Sequence, residues 1–166
     1  KVKAIAANSV QGDIRFLELL NAMGCEVITG SDGIAVRGGR LKAIEADMGD
    51  MPDLVPTLAV VAAFAKGTSV VTNIAHLKDK ESDRLATVVN ELNKMGIEAE
   101  YFDRALRITG GQPHGAEIET YDDHRIAMSF AVAGLKVENV RIQDENCVEK
   151  SFPEFWRVFE GLQEEQ

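Results

Sequence analysis

Four short polar clusters hold the side chains of this chain that could do chemistry. They are Asp53, the run Lys78-Asp79-Lys80-Glu81-Ser82-Asp83-Arg84, the run Asp122-Asp123-His124-Arg125, and Lys150 just before Ser151-Phe152-Pro153. Each lies where a helix-like stretch begins. A helix start offers free N–H groups and the positive end of the dipole, so it favours anions. Lys80, Arg84, Arg125 and Lys150 add formal charge, and arginine can grip a carboxylate or phosphate with two hydrogen bonds. If these points converge at one end of the fold, they suit a small, highly charged substrate.

Each cluster also has an ordinary reading. Asp53 follows Pro52 and opens an apolar run, so it would serve as a helix N-cap. A run such as 78–84 is usually a solvated face laced with i,i+4 pairs. Asp122 would cap the next helix, with His124 a satisfied surface residue. Lys150, His76 and His114 mean little alone. No metal site stands out, because two cysteines and three histidines show no ligand spacing. No phosphate-loop, dinucleotide-loop or nucleophile-elbow motif is present.

The elements that would position these clusters repeat along the chain. Ile14 to Gly24 resembles Arg84 to Gly96, and both end in Met-Gly. Strand-like runs follow at 25–29 and 97–101, and short β segments end in Gly38-Gly39 and Gly110-Gly111. The offset is about 72 residues, the span of one supersecondary unit. Further strands are expected at 41–45 and 116–120, apolar helices at 54–65 and 126–135, and closing strands at 69–74 and 137–142. A third copy begins at Phe152, with its first helix and no strands after it. The opening residues 1–7 read as a strand beginning mid-fold. With Lys1 in place of Met, this suggests an excised fragment or a processed chain.

Leu85, Val88, Val89, Leu92 and Met95 fall on one helical stripe, so that helix has a wet face. The helices at 54–65 and 126–135 are apolar almost all round and rich in alanine, which predicts burial on every side. Buried helices wrapped by half-buried strands make an inside-out α/β arrangement, with repeated βαβαββ-type units and the third incomplete. Residues 1–166 are expected to form one domain of about two and a half units.

Composition narrows the function. A net charge of −9 disfavours a duplex-binding face, although a local cationic cluster remains possible. The longest apolar run, 58–65, is too short to span a bilayer, so no membrane partner is expected. Two isolated cysteines suit a reducing, cytoplasmic setting.

Five segments together resemble one family. Asp50-Met-Pro-Asp53-Leu-Val-Pro-Thr57, Asn73-Ile-Ala-His76-Leu-Lys78-Asp-Lys80-Glu81-Ser-Asp83-Arg84-Leu85, Thr120-Tyr-Asp-Asp-His124-Arg125-Ile-Ala-Met-Ser129, Cys147-Val-Glu-Lys150-Ser-Phe-Pro153 and Ser9-Val-Gln-Gly-Asp13 have the order and spacing of the 5-enolpyruvylshikimate-3-phosphate synthases. The resemblance covers essentially the whole chain. It implies an inside-out α/β barrel with helix N-termini facing a cleft, and a second, N-terminal domain that supplies the other half of the site.

The resemblance also implies roles. Phosphoenolpyruvate and shikimate 3-phosphate would be the substrates, with no metal or organic cofactor. Asp53 would be the base facing the shikimate hydroxyl, and Glu81, on the first turn of a helix, the proton donor. Lys80 would contact the hydroxyl, and His76 would be a polar contact on the shikimate side. Arg84, Arg125 and Lys150 would hold the phosphoenolpyruvate carboxylate and phosphate. His124 would support Arg125, and Asp123 would orient it. Without the N-terminal part, this chain alone is expected to be inactive. The alternatives are an enolpyruvyl transferase with another acceptor alcohol, and a non-catalytic anion-binding module.

Overall fold

The computed structural model describes residues 1–3 and 12–164. Residues 9–11 of the Ser9-Val-Gln-Gly-Asp13 segment and 4–7 of the expected opening strand lie outside them. The elements run β1 (Val2–Lys3), α1 (Phe16–Ala22), β2 (Glu26–Gly30), β3 (Gly33–Arg37), β4 (Glu45–Asp47), α2 (Val55–Ala63), β5 (Gly67–Thr72), α3 (Arg84–Lys94), β6 (Glu98–Phe102), β7 (Ala105–Gly110), β8 (Glu117–Ile118), α4 (His124–Ala133), β9 (Arg141–Ile142) and α5 (Phe155–Glu164). Short 3-10 turns precede several helices.

The repeat is real in three dimensions. Strands β2, β3 and β4 recur as β6, β7 and β8, and each hairpin pairs antiparallel, Glu26 to Arg37 and Glu98 to Thr109. Both Met-Gly pairs are helix stops. Gly24 and Gly96 have positive φ and donate to Asn21 and Asn93, while Cys25 and Ile97 donate back to Leu20 and Leu92. This is the Schellman arrangement, which satisfies the last carbonyls and needs the left-handed conformation that glycine adopts freely.

Three sheets result among the described residues. One has the order β1-β3-β2, one β4-β5-β7-β6, and β8 pairs with β9. Both β4–β5 and β8–β9 are parallel, so each encloses a crossover helix, α2 or α4. These two helices pack on each other. The hydroxyls of Thr57 and Ser129, equivalent positions in the two units, meet at 3.1 Å between them.

Helix α2 is sunk in the core, with Val55, Leu58, Ala59, Val60, Ala62 and Ala63 all buried. Helix α4 buries Ile126, Ala127, Phe130, Ala131 and Ala133 but leaves Val132 exposed, and α2 leaves Thr57 and Val61 half-buried on one stripe, so burial on every side holds fully for neither helix. Helix α3 has the expected single stripe, with Leu85, Val88 and Leu92 buried. Each such buried side chain contributes about 1.5–3 kcal/mol. Helices inside and sheets outside give the inside-out α/β barrel arrangement.

The strands expected at 41–45, 116–120 and 137–142 are shorter or displaced. Residue 42 makes only a single bridge to Lys66, and the ladder proper begins at Glu45. No helix among the described residues is long and apolar enough to cross a membrane.

Candidate active site

The four clusters converge. Asp53 sits in a 3-10 turn (Pro52–Leu54) leading into α2, and neither the turn nor α2 has a side-chain cap. The capping reading of Asp53 therefore fails. Pro56 removes one early N–H that a cap would serve, and the carboxylate turns outward to three cations instead. Its Oδ1 accepts from Arg84 Nη1 at 2.8 Å and lies 3.7 Å from Lys80 Nζ, and its Oδ2 lies 3.0 Å from Arg125 Nη2. Asp53 and Arg125 are equivalent positions in the two units, so the repeat itself places anion against cation across the site.

Lys80, Glu81 and Ser82 lie in the turn between the 3-10 segment Ala75–Asp79 and α3. Glu81 is thus not on a first helical turn. Asp83 is the cap, accepting from the Ala86 N–H at 3.0 Å, and the helix starts only at Arg84. Lys78, Asp79, Lys80, Glu81 and Asp83 of the run 78–84 are exposed, as a solvated face would be, but Arg84 departs from that reading at 2% exposure. Its guanidinium is shared between Asp53 and Asp123, with Nε donating to Asp123 Oδ2 at 2.7 Å and Nη2 to Oδ1 at 3.3 Å.

Asp123, not Asp122, caps α4; its Oδ1 accepts the Arg125 N–H at 3.0 Å. Its other oxygen also accepts from Ser82 Oγ at 3.0 Å. Burial would raise the Asp123 pKa, yet the hydrogen bond and charge of Arg84, with the Arg125 N–H and Ser82, hold it below the ordinary carboxylate value. Burial likewise opposes the charge on Arg84, and the two aspartates outweigh it, so its pKa is raised.

Glu81 forms a second centre. His124 Nδ1 lies 3.0 Å from its Oε2, and Lys150 Nζ lies 3.2 Å from the same atom. His124 therefore contacts Glu81 and not the Arg125 side chain, and Asp123 steadies Arg84 more than Arg125. Lys150 ends a 3-10 segment (Glu145–Lys150) and donates to the Asp122 carbonyl at 2.6 Å. Slight burial opposes its charge, but Glu81 and Asp122 outweigh it and raise its pKa.

His76 is exposed, and no hydrogen bond or ion pair joins it to the cluster among the described residues. Ser82 is a site residue to which the sequence assigned no role, although it lies within the polar run 78–84, since only the fold brings it to Asp123.

Donor atoms of Glu81, Asp123 and His124 lie within 4.8 Å of one another, as a metal site would need. The donor set does not fit a cation. Both Asp123 oxygens are occupied by Arg84, Ser82 and the Arg125 N–H, and Lys150 stands against Glu81. Lys80, Arg84, Arg125 and Lys150 around two carboxylates suit an incoming anion that displaces them.

Comparison with known proteins identifies the family of the chain. Residues 1–159 match the family model described as EPSP synthase (3-phosphoshikimate 1-carboxyvinyltransferase). The 3-phosphoshikimate 1-carboxyvinyltransferase of Syntrophobacter fumaroxidans is 49% identical over 95% of this chain and 38% of its own length. That of Methanoculleus marisnigri is 48% identical over 96% of this chain and 38% of its own. An EPSP synthase structure from Acinetobacter baumannii superposes with a TM-score of 0.79 at 32% identity, over 95% of this chain and 40% of that one. The enolpyruvyl transferase NikO from Streptomyces tendae shares the fold, with a TM-score of 0.71 at 22% identity, over 89% of this chain and 34% of that one. This chain thus spans about two-fifths of the relatives it matches. It belongs to the EPSP synthase (3-phosphoshikimate 1-carboxyvinyltransferase) family.

Proposed function

We propose that the chain supplies half of the active site of an enzyme that moves the carboxyvinyl group of phosphoenolpyruvate to the 5-hydroxyl of shikimate 3-phosphate, releasing phosphate. In this reading residues 1–166 form one domain, and the remaining site residues come from the missing N-terminal part. The observation that carries it is the separation of two carboxylates onto different cations: Asp53 among Lys80, Arg84 and Arg125, and Glu81 between His124 and Lys150. A simple phosphate binder has no use for two such carboxylates.

The chemistry is addition followed by elimination. Asp53 takes the proton of the acceptor hydroxyl as its oxygen bonds to C2 of phosphoenolpyruvate. Glu81, protonated once bound substrate draws Lys150 away from it, delivers that proton to the methylene carbon, which becomes a methyl group in a tetrahedral ketal. The Glu81 carboxylate then takes a proton back from that methyl group as the C–O bond to phosphate breaks and the double bond re-forms. Lys80 lies beside Asp53 and would meet the same hydroxyl. Arg84, Arg125 and Lys150 would bind the carboxylate and phosphate and stabilise charge on the leaving group. His124 and Lys150 fix the Glu81 carboxylate, and Asp123 with Ser82 holds Arg84. His76 would meet the shikimate side only once the cleft is complete. No step requires a metal or organic cofactor. The free, buried Cys25 and Cys147 agree with a cytoplasmic setting for such an enzyme.

The test is substitution within the assembled enzyme. Asp53→Asn and Glu81→Gln should each lower turnover by about 10²–10⁴-fold, the usual contribution of a positioned acid or base, while phosphoenolpyruvate still binds. Turnover within a few fold of wild type in both would remove the acid–base assignment.

A further inference from the structure

Helix α3 holds the segment between β8 and α4 at two places. At its first residue, Arg84 grips Asp123 within the site. Two turns later, on the same helix face, Glu91 reaches the same segment from below the site. Its Oε2 accepts the Glu119 N–H at 3.2 Å, and its Oε1 accepts the Tyr121 hydroxyl at 3.1 Å. Glu91 is 0% exposed, and a carboxylate is almost never so buried without partners. Lys94 Nζ, 2.9 Å away, balances its charge. Burial pushes the Tyr121 hydroxyl pKa up, and the Glu91 carboxylate adds to this, so the tyrosine stays a donor.

What Glu91 holds is an unusual piece of backbone. Tyr121 and Asp122 both have φ of 53°, in the left-handed region that residues other than glycine seldom adopt. Consecutive residues persist there only where their surroundings over-determine them. The turn aims everything that follows it. Asp123 caps α4, His124 meets Glu81, Arg125 meets Asp53, and the Asp122 carbonyl receives Lys150.

We propose that Glu91 is a positioning residue for the site. With Tyr121 it fixes the left-handed turn, and through that turn it sets where His124, Arg125 and Lys150 stand. Glu91 touches none of the proposed substrate-binding groups, so its effect passes through the backbone of residues 119–122. The reaction it serves rests on the function proposed above, whereas the positioning itself does not.

Histidine ring resonances of the isotopically labelled chain test it, because the three histidines act as controls for one another. In Tyr121→Phe and Glu91→Ala the His124 signals should move while those of His76 and His114 stay. Glu91→Gln keeps an acceptor for the Glu119 N–H and should move His124 less. In the enzyme assembled with its N-terminal part, Tyr121→Phe should lose about tenfold or more in kcat/KM, as misplaced site groups do, with an unchanged melting temperature. An unmoved His124 in folded Tyr121→Phe overturns the proposal. So does a common movement of all three histidines, which marks general loosening. If Glu91→Ala does not fold, Tyr121→Phe decides. If the wild-type assembly transfers nothing, the functional reading falls, while the His124 result still decides this one.

Discussion

Arg84 and Asp123 lie 39 residues apart and are joined by two hydrogen bonds in the interior, of 2.7 and 3.3 Å. The pair ties the start of α3 to the start of α4, the two helix ends that carry most of the site. Both side chains are essentially inaccessible to water, at 3% and 0% exposure.

Removing one member strands the other. Asp123→Ala leaves a buried guanidinium with only Asp53 as partner, and it also uncaps α4. The expected loss is about 3–5 kcal/mol of folding stability, measured by urea denaturation. A loss below about 1 kcal/mol would mean that the pair is exposed in solution.

The same pair sets the acid limit of the fold. The Asp123 pKa is lower in the folded state than in the unfolded chain, because Arg84 and the other donors overcome burial. Such a carboxylate stabilises the fold fully above its unfolded value, about 3.9, and that contribution is lost as pH falls through the lower folded value. Wild-type stability should therefore fall steeply below about pH 4, and Asp123→Asn, less stable at neutral pH, should show a flatter acid limb. Parallel denaturation curves for the two proteins across that range would show that Asp123 is not the group responsible.

Without substrate, the cations of the site are spent on its own carboxylates. Asp53 alone engages Lys80, Arg84 and Arg125. Asp53→Asn should therefore bind inorganic phosphate more tightly than the wild-type chain, by roughly tenfold, since it removes a competing charge a few ångströms away. Isothermal titration at low salt reads this directly. Equal or weaker binding would show that these cations do not face the anion site.

Much of the fold was legible because its periodicities are local. The 3.6-residue stripe of α3, the apolar run of α2 and the two Met-Gly stops each follow from side chains a few positions apart. The repeat fixed the order of elements, since the hairpins and crossovers recur at one offset. Strand edges were less legible, because residues 41–44 reach the neighbouring segment through only a single bridge at Lys42, and 137–140 lie outside the ladder that begins at Arg141. The site residues were legible as types. Their pairings were not, because Asp53 with Arg84, Asp123 with Ser82 and His124 with Glu81 all join segments far apart in the chain. Local rules favoured caps and solvated pairs there, and long-range charge complementarity won. Glu91 gave no sign at all, since a glutamate in a helix is ordinarily exposed.

In the proposed function this chain carries half of a site that an N-terminal part completes. Phosphate release from phosphoenolpyruvate and shikimate 3-phosphate tests it, measured for this chain alone, for the N-terminal part alone, and for the two mixed. Release is expected only in the mixture. Robust release by the purified chain on its own would contradict it.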